Sequence, residues 1–154
     1  MTIEIRNETT ARVDELEFVE LARYVFEAMH LSPATELSIL FVDEEAMTRL
    51  HIEWMDEPGP TDVLSFPMDE LTPGTEEHPA PEGLLGDVVI CPSVAARQAA
   101  EAGHSAAEEM LLLAVHSILH LLGYDHAEEE ERRVMFDLQR RLLLTFLAAR
   151  GQDA

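Results

Sequence analysis

The alternation of apolar and polar residues along the chain predicts four short β-strands. They are expected at residues 2–8, 36–42, 63–66 and 87–90. In the second segment, Leu37, Ile39 and Phe41 fall on one face, which is typical of a strand with one side against a core. Residues 69–83 are rich in proline and acidic side chains, and predict a long surface loop of the kind that is often functional or mobile. If this loop packs over a functional cleft, it can act as a lid.

Apolar residues three or four positions apart predict five helices. They are expected at residues 14–31, 44–54, 92–102, 106–122 and from about 128 onward. Asp43 is a predicted N-cap, and Ser105 with Glu108 forms a capping box. Gly103 and Gly123 are the expected ends of the third and fourth helices. These end signals support the assigned helix boundaries.

The order of these elements predicts the fold class. Strands and helices follow one another as β-α-β-α-β-β-α-α-α, which indicates an α+β fold: a small mixed four-stranded sheet packed with about five helices. The fourth helix is apolar on nearly every side and is therefore expected at the centre of the protein. The chain length favours a single domain over residues 1–154.

The charge of the chain limits which partners it can bind, and its cysteine content bears on the cellular compartment in which it folds. The chain has 31 acidic and 10 basic residues, all of the latter arginine, and a formal net charge of −21 that repels polyanions at long range. The single cysteine, Cys91, cannot form an internal disulfide, so nothing demands an oxidising compartment. The N-terminus lacks a signal pattern, and the longest apolar run, 110–115, is too short to cross a bilayer. We expect a cytoplasmic protein without a membrane partner.

A group of histidines predicts a metal site in the central helix. His116 and His120 are four residues apart and so project from one helix face, and the turn at Gly123 can bring His126 to the same point. Paired histidines also occur in structural roles, but burying two imidazoles in the most apolar helix is costly unless something satisfies them. Three imidazoles with an open position are typical of a catalytic zinc site. We predict one divalent ion per chain, most simply Zn²⁺, with nickel, iron or manganese as alternatives.

The residues around these histidines do not identify a general base. Zinc peptidases of the His-Glu-x-x-His type carry glutamate directly after the first histidine, where this chain has Ser117. Asp125, next to His126, can either orient a ligand or cap a turn. The catalytic residues therefore stay unidentified at this stage.

Three short segments together form a recognisable set. Residues 116–126 read H-S-I-L-H-L-L-G-Y-D-H, residues 60–66 read P-T-D-V-L-S-F, and residues 85–90 read L-G-D-V-V-I. Together they resemble the YbeY family of bacterial metallo-endoribonucleases, whose signature is H-G-x-L-H-L-x-G-Y-D-H and whose other motifs are P-T-D-V-L-S-F and L-G-D-I-x-I. The matches occur in the family order.

The resemblance implies a function, a fold and a ligand set. It implies a single-strand-specific endoribonuclease that acts on ribosomal RNA, in 3′-end maturation of small-subunit (16S) rRNA and in ribosome quality control. Ribosomal particles or proteins would then be further partners. It also implies a mixed sheet with several helices, and a metal ion bound by His116, His120 and His126.

The chain departs from the family pattern at two places. Ser117 stands where the signature has glycine, and Trp54 and Met55 stand where the family usually carries a tyrosine-arginine pair. That arginine is commonly given a role in cleavage or RNA contact. Either another arginine, such as Arg49 or Arg97, takes this role, or the role is weaker than supposed.

The second motif also has a purely structural interpretation. Residues 63–66 can be an apolar strand, with Thr61 or Asp62 forming a turn. Ser65 can face the metal cleft or the opposite side of the sheet, and the sequence does not decide between them.

Two other functions remain open: a metal hydrolase of another substrate, such as a peptidase or amidase, and a largely non-catalytic ribosome-assembly factor. Because RNA affinity depends on neutralising phosphates, an acidic nuclease needs arginines around the histidines or a ribosomal partner that delivers the RNA. The arginines considered for such a patch are Arg23, Arg49, Arg97, Arg133 and Arg140. We expect poor activity on naked RNA and better activity on ribosomal particles.

Overall fold

A computed structural model describes residues 2–152 of the chain. The strands are β1 (Ile3–Asn7), β2 (Glu36–Phe41), β3 (Val63–Pro67) and β4 (Leu84–Ile90). The helices are α1 (Glu15–Ala28), α2 (Glu44–Met55), α3 (Pro92–Ala102), α4 (Ala106–Leu121) and α5 (Glu129–Gln152). The predicted element order and the α+β class are confirmed. Residues 1, 153 and 154 of the predicted domain lie outside the described residues.

The strands form one mixed sheet with the order β1-β2-β4-β3. β1 and β4 both run parallel to β2, whereas β3 is antiparallel to β4 and forms an edge of the sheet. Parallel neighbours require a crossover, which the chain makes through α1 between β1 and β2. The mixed four-stranded sheet predicted from the sequence is therefore confirmed.

Helix α4 lies at the centre of the fold, as predicted. It packs against β3 and β4 of the sheet and against α1, α3 and α5. Ser105 caps its start by accepting a hydrogen bond from the backbone N–H of Glu108, and Leu111, Val115 and Ile118 are buried along it. Because this helix has neighbours on all sides, burying a polar side chain on it costs free energy unless that side chain finds a partner or an opening to solvent.

Residues 69–83 form an irregular segment held against the end of α1. The backbone N–H of Gly74 donates to the carbonyl of Met29 at 3.0 Å, and that of Ala80 donates to the carbonyl of His30 at 2.9 Å. Ala80 is buried in the main core. The predicted loop is thus present, and its anchors lie at α1.

Candidate metal centre

The three predicted histidines line a cleft of about 600 Å³ between α4, α5 and β3. Met55, at the end of α2, and Asp62, just before β3, complete its wall. None of the residues that line this cleft comes from the 69–83 loop. The condition for a lid, that the loop packs over the cleft, is therefore not met in the described residues.

The structure brings His116, His120 and His126 together at one point. One ring nitrogen of each lies within 4.8 Å of the others, and the ring centroids are 4.7 to 5.6 Å apart. This proximity suits three ligands of a single ion, since each Zn–N bond is about 2.0–2.1 Å long. His126 is exposed and the other two are half-buried, so the site opens to solvent.

The local sequence explains this convergence. His116 and His120 are one helical turn apart on α4. After the helix, Gly123 has a φ of 98°, a left-handed conformation that glycine adopts without strain, and the N–H of Tyr124 donates to the carbonyl of Leu119. The chain therefore turns back on itself and carries His126 toward the helix face.

The sequence left two roles open for Asp125, orienting a ligand or capping a turn, and its contacts are those of a turn cap. Its Oδ1 accepts a hydrogen bond from the backbone N–H of His126 at 2.7 Å. Its side chain is exposed and does not line the cleft. The carboxylate therefore fixes the backbone that carries the third histidine.

Gln139 orients the first histidine and was missed by the sequence analysis. The Nδ1 of His116 lies 2.7 Å from the Oε1 of Gln139, so Nδ1–H donates and the Nε2 lone pair stays free for a metal. Gln139 stands four residues after Met135 and four before Leu143, both buried apolar residues of α5. The sequence signal that could have identified Gln139 is a neutral amide at a position where helical spacing predicts an apolar residue.

Burial disfavours the protonated form of two of the histidines. It lowers the pKa of His116 below the ordinary value, and the hydrogen bond to Gln139 opposes this only in part. Burial likewise lowers the pKa of His120, and the positive charges of His116 and His126 lower it further. Since a metal binds the neutral imidazole, both shifts favour metal binding over protonation near neutral pH.

The second motif contributes both to the turn and to the cleft. Asp62 Oδ1 accepts from the N–H of Val63 at 2.8 Å and from the hydroxyl of Thr61 at 3.3 Å, as expected of a turn-forming residue. Asp62 and Ser65 also line the cleft. The open question about Ser65 is thereby answered: it lies on the histidine side of β3.

Ser117 lies outside the cleft. Its side chain is fully buried, its hydroxyl has no hydrogen-bond partner among the described residues, and it is absent from the cleft wall. The position that carries the general base in His-Glu-x-x-His peptidases therefore faces the protein interior here.

An arginine patch, one of the two routes to RNA considered from the sequence, is not found around the histidines in the described residues. Among the described residues, those that line the cleft include no arginine, and Asp62 is the only acid. Arg97 instead pairs with Glu44 at 2.8 Å, and Arg49 lies 3.7 Å from Glu45. Neither arginine suggested as a substitute for the family arginine reaches the cleft, whose wall at this point is Met55.

None of the helices in residues 2–152 combines the length and the hydrophobicity that crossing a bilayer requires.

Comparison with known proteins agrees with the motifs. A family model described as Endoribonuclease YbeY matches residues 3–147. Proteins named Endoribonuclease YbeY are similar to this chain: one from Beutenbergia cavernae is 65% identical, covering 97% of this chain and 100% of its own length, and one from Clavibacter sepedonicus is 60% identical, covering 99% and 100%. A Thermotoga maritima protein of known solution structure has a TM-score of 0.66 at 23% identity, covering 98% of this chain and 93% of its own. The structural match supports the fold alone.

Proposed function

The chain belongs to the YbeY family of endoribonucleases, and on that premise we propose that it cleaves single-stranded ribosomal RNA with one divalent metal ion. The proposed setting is the cytoplasm, in 3′-end maturation of 16S rRNA and in ribosome quality control. Because the surface is strongly acidic, ribosomal particles or proteins are the proposed source of presented RNA.

The observation that carries the proposal is the convergence of His116, His120 and His126 in one open cleft. Structural zinc sites usually close with four protein ligands, whereas a site with three leaves a position for water or substrate. Imidazole nitrogens are common ligands of Zn²⁺, which makes zinc the proposed ion.

The side chains of the cleft have distinct proposed roles. Gln139 binds the Nδ1 of His116, which leaves the imidazole Nε2 of His116 available to the ion. Asp62 is the one carboxylate on the cleft wall among the described residues, and it is proposed to accept a proton during phosphodiester cleavage. The hydroxyl of Ser65, on the same wall, can donate a hydrogen bond to a phosphate oxygen. When bound, the ion supplies Lewis acidity to the phosphodiester and increases the acidity of nearby water.

Two observations disfavour the alternative functions. A peptidase mechanism of the His-Glu-x-x-His type lacks its base, because Ser117 is buried away from the cleft. A purely structural ion is disfavoured because His126 is exposed and the cleft is open. Both features agree better with a site that receives a substrate.

A substrate comparison tests the proposal. Zinc-loaded protein is incubated with a single-stranded RNA, the same sequence as a duplex, and an unstructured peptide. We expect internal cleavage of the single strand only. His116→Ala should abolish cleavage, whereas His78→Ala, which removes an exposed histidine of the 69–83 loop, should retain it. Cleavage of the peptide, or equal cleavage of RNA by His116→Ala, would contradict the proposal.

A further inference from the structure

An exposed aromatic ring stands directly beside the histidines. Phe136 of α5 lines the cleft, and its ring centroid lies 6.0 Å from those of both His116 and His126. The residue is 36% exposed, although large apolar residues are usually buried. An apolar surface thus faces solvent next to the place where the scissile phosphate is proposed to lie.

The rest of the cleft wall favours an apolar ligand group over a polyanion. Apart from the three histidines, no basic side chain lines it in the described residues, and Asp62 adds a negative charge. Met55, from the end of α2, lines the cleft and is 45% exposed. Apart from the proposed ion, which would attract the phosphate at the histidines, this wall offers no arginine in the described residues to neutralise further phosphates, the usual main source of RNA affinity.

We propose that Phe136 binds an unpaired nucleobase by stacking, and that Met55 contacts the same base from the α2 side. This inference rests on the proposed function, because the base belongs to the RNA strand whose phosphate lies at the histidines. Every base presents a π-face, so stacking holds RNA without sequence recognition and without a positive charge.

The same contact accounts for a preference for single strands. In a duplex both faces of each base are covered by its neighbours, whereas an unpaired base can turn out and stack on an aromatic side chain. A duplex therefore cannot use Phe136 without breaking its own stacking. Phe136 is accordingly a positioning residue, which sets where the strand lies relative to the ion.

Kinetics of the zinc-loaded protein on a short single-stranded RNA test this role. Phe136→Leu keeps an apolar side chain but removes the aromatic face. Since stacking contributes about 1–3 kcal/mol per base, we expect the KM of this variant to rise by about fivefold or more, with kcat changed much less. Phe136→Trp should keep the wild-type KM. Leu144→Ala, which shortens another exposed apolar side chain of α5, should also leave KM unchanged.

Abasic substitution along the RNA tests whether the contact is with a base. In the wild type, one abasic position near the cleavage site should raise KM by the factor seen for Phe136→Leu, and in Phe136→Leu that position should have no further effect. The slope of log KM against log salt should stay shallower than about 1.4, the value for two neutralised phosphates on a single strand.

The outcomes separate this inference from the proposed function. Suppose that the wild type cleaves RNA. If Phe136→Leu then has the wild-type KM, or if no abasic position raises the KM of the wild type, the stacking role alone is overturned. A steep salt slope would likewise overturn it, since the affinity would then come from phosphates. A zinc-loaded wild type that cleaves no RNA overturns both. Zinc content, measured for each variant, should stay at the wild-type level.

Discussion

The Nδ1 atom of His116 lies 2.7 Å from the Oε1 atom of Gln139, and this hydrogen bond joins α4 to α5 at the cleft. Gln139 can reach His116 because its neighbours along α5, Met135 and Leu143, are buried and hold that face of the helix toward α4. The orientation of a proposed metal ligand is therefore set by the packing of a second helix.

Replacing Gln139 tests this relationship. Gln139→Leu removes the acceptor for Nδ1–H, so the imidazole loses its fixed orientation, and zinc affinity should fall by about 10–100-fold. Competition titration against a chromophoric chelator measures the change. Gln98→Leu, which alters a half-buried glutamine of α3, serves as the control and should bind zinc like the wild type. Unchanged affinity in Gln139→Leu would show that the hydrogen bond does not orient the ligand.

The metal-free protein should lose stability as the pH falls. Burial lowers the pKa of His116 and of His120 in the folded state from the ordinary value of 6.5. Below about pH 6.5 the unfolded chain therefore binds protons that the folded chain does not, and the free energy of unfolding decreases until the lowered folded-state pKa values are reached. Urea denaturation with a chelator present, at about pH 7.5 and about pH 5.5, measures this loss.

Variants assign the pH effect to the cleft. His116→Leu removes one of the groups with a lowered pKa, so its loss of stability between the two pH values should be smaller than that of the wild type. His78→Leu controls for the removal of an exposed histidine. Equal effects of the two substitutions on the pH dependence would argue against burial of His116 as the cause.

Asp62 should matter for the chemical step. Because Asp62 is the one carboxylate on the cleft wall within residues 2–152, Asp62→Asn should lower kcat by about 10²–10⁴-fold, as expected for the loss of a general base. The amide still offers an oxygen to the N–H of Val63, so the turn should persist. Asp69→Asn, outside the cleft, is the control. Full activity of Asp62→Asn with normal zinc content would remove Asp62 from the mechanism.

Gly86 permits the close approach of β3, β4 and α4 behind the histidines. A Cβ at this position would lie 2.4 Å from the carbonyl oxygen of Phe66 and 3.0 Å from Cδ2 of Leu121, and φ is 148°. At Gly59 a Cβ would have no atom within 4 Å, but φ is also positive. Gly59→Ala should therefore lower the free energy of unfolding by about 1–2 kcal/mol. Gly86→Ala should lower the free energy of unfolding by about 1–3 kcal/mol more than Gly59→Ala does, because its Cβ clashes with Phe66.

Chemical denaturation of the two glycine variants measures the difference. Equal stability of Gly86→Ala and Gly59→Ala would mean that β3 moves away from β4 at little cost, contrary to the tight packing described here.

The histidine cluster could be predicted from the sequence because its geometry is local. The four-residue spacing of His116 and His120 places both on one helix face, and the turn at Gly123 returns His126 within a few residues. Element order and the central position of α4 were also predicted, since a helix that is apolar all round must be surrounded.

The remaining residues of the cleft depend on contacts between distant segments. Gln139 and Phe136 reach the histidines only because of how α5 packs on α4. Ser65 lies on a short apolar strand, whose two faces the sequence does not distinguish. Which face points toward the histidines is set by the pairing of β3 with β4 and by the packing of β3 on α4. Met55 enters the cleft at the end of α2 for the same reason.

Two possibilities that the sequence left open, an arginine patch and a lid, are not found in the described residues, because surface features have weak periodic signals. The patch was one of two ways to meet the needs of RNA binding, but Arg97 pairs with Glu44 and the cleft wall contains none of the arginines considered. The lid depended on residues 69–83 packing over the cleft, and their backbone hydrogen bonds instead attach them to the end of α1.

The most direct test of the central claim is cleavage of a labelled single-stranded RNA by chelator-treated protein before and after one equivalent of Zn²⁺ is added. The claim is that His116, His120 and His126 hold an ion on which RNA cleavage depends. We predict no cleavage by the treated wild type, recovery on addition of zinc, and no recovery in His120→Ala under the same conditions. Cleavage at the full rate by the zinc-free wild type, or recovery in His120→Ala, would contradict the claim.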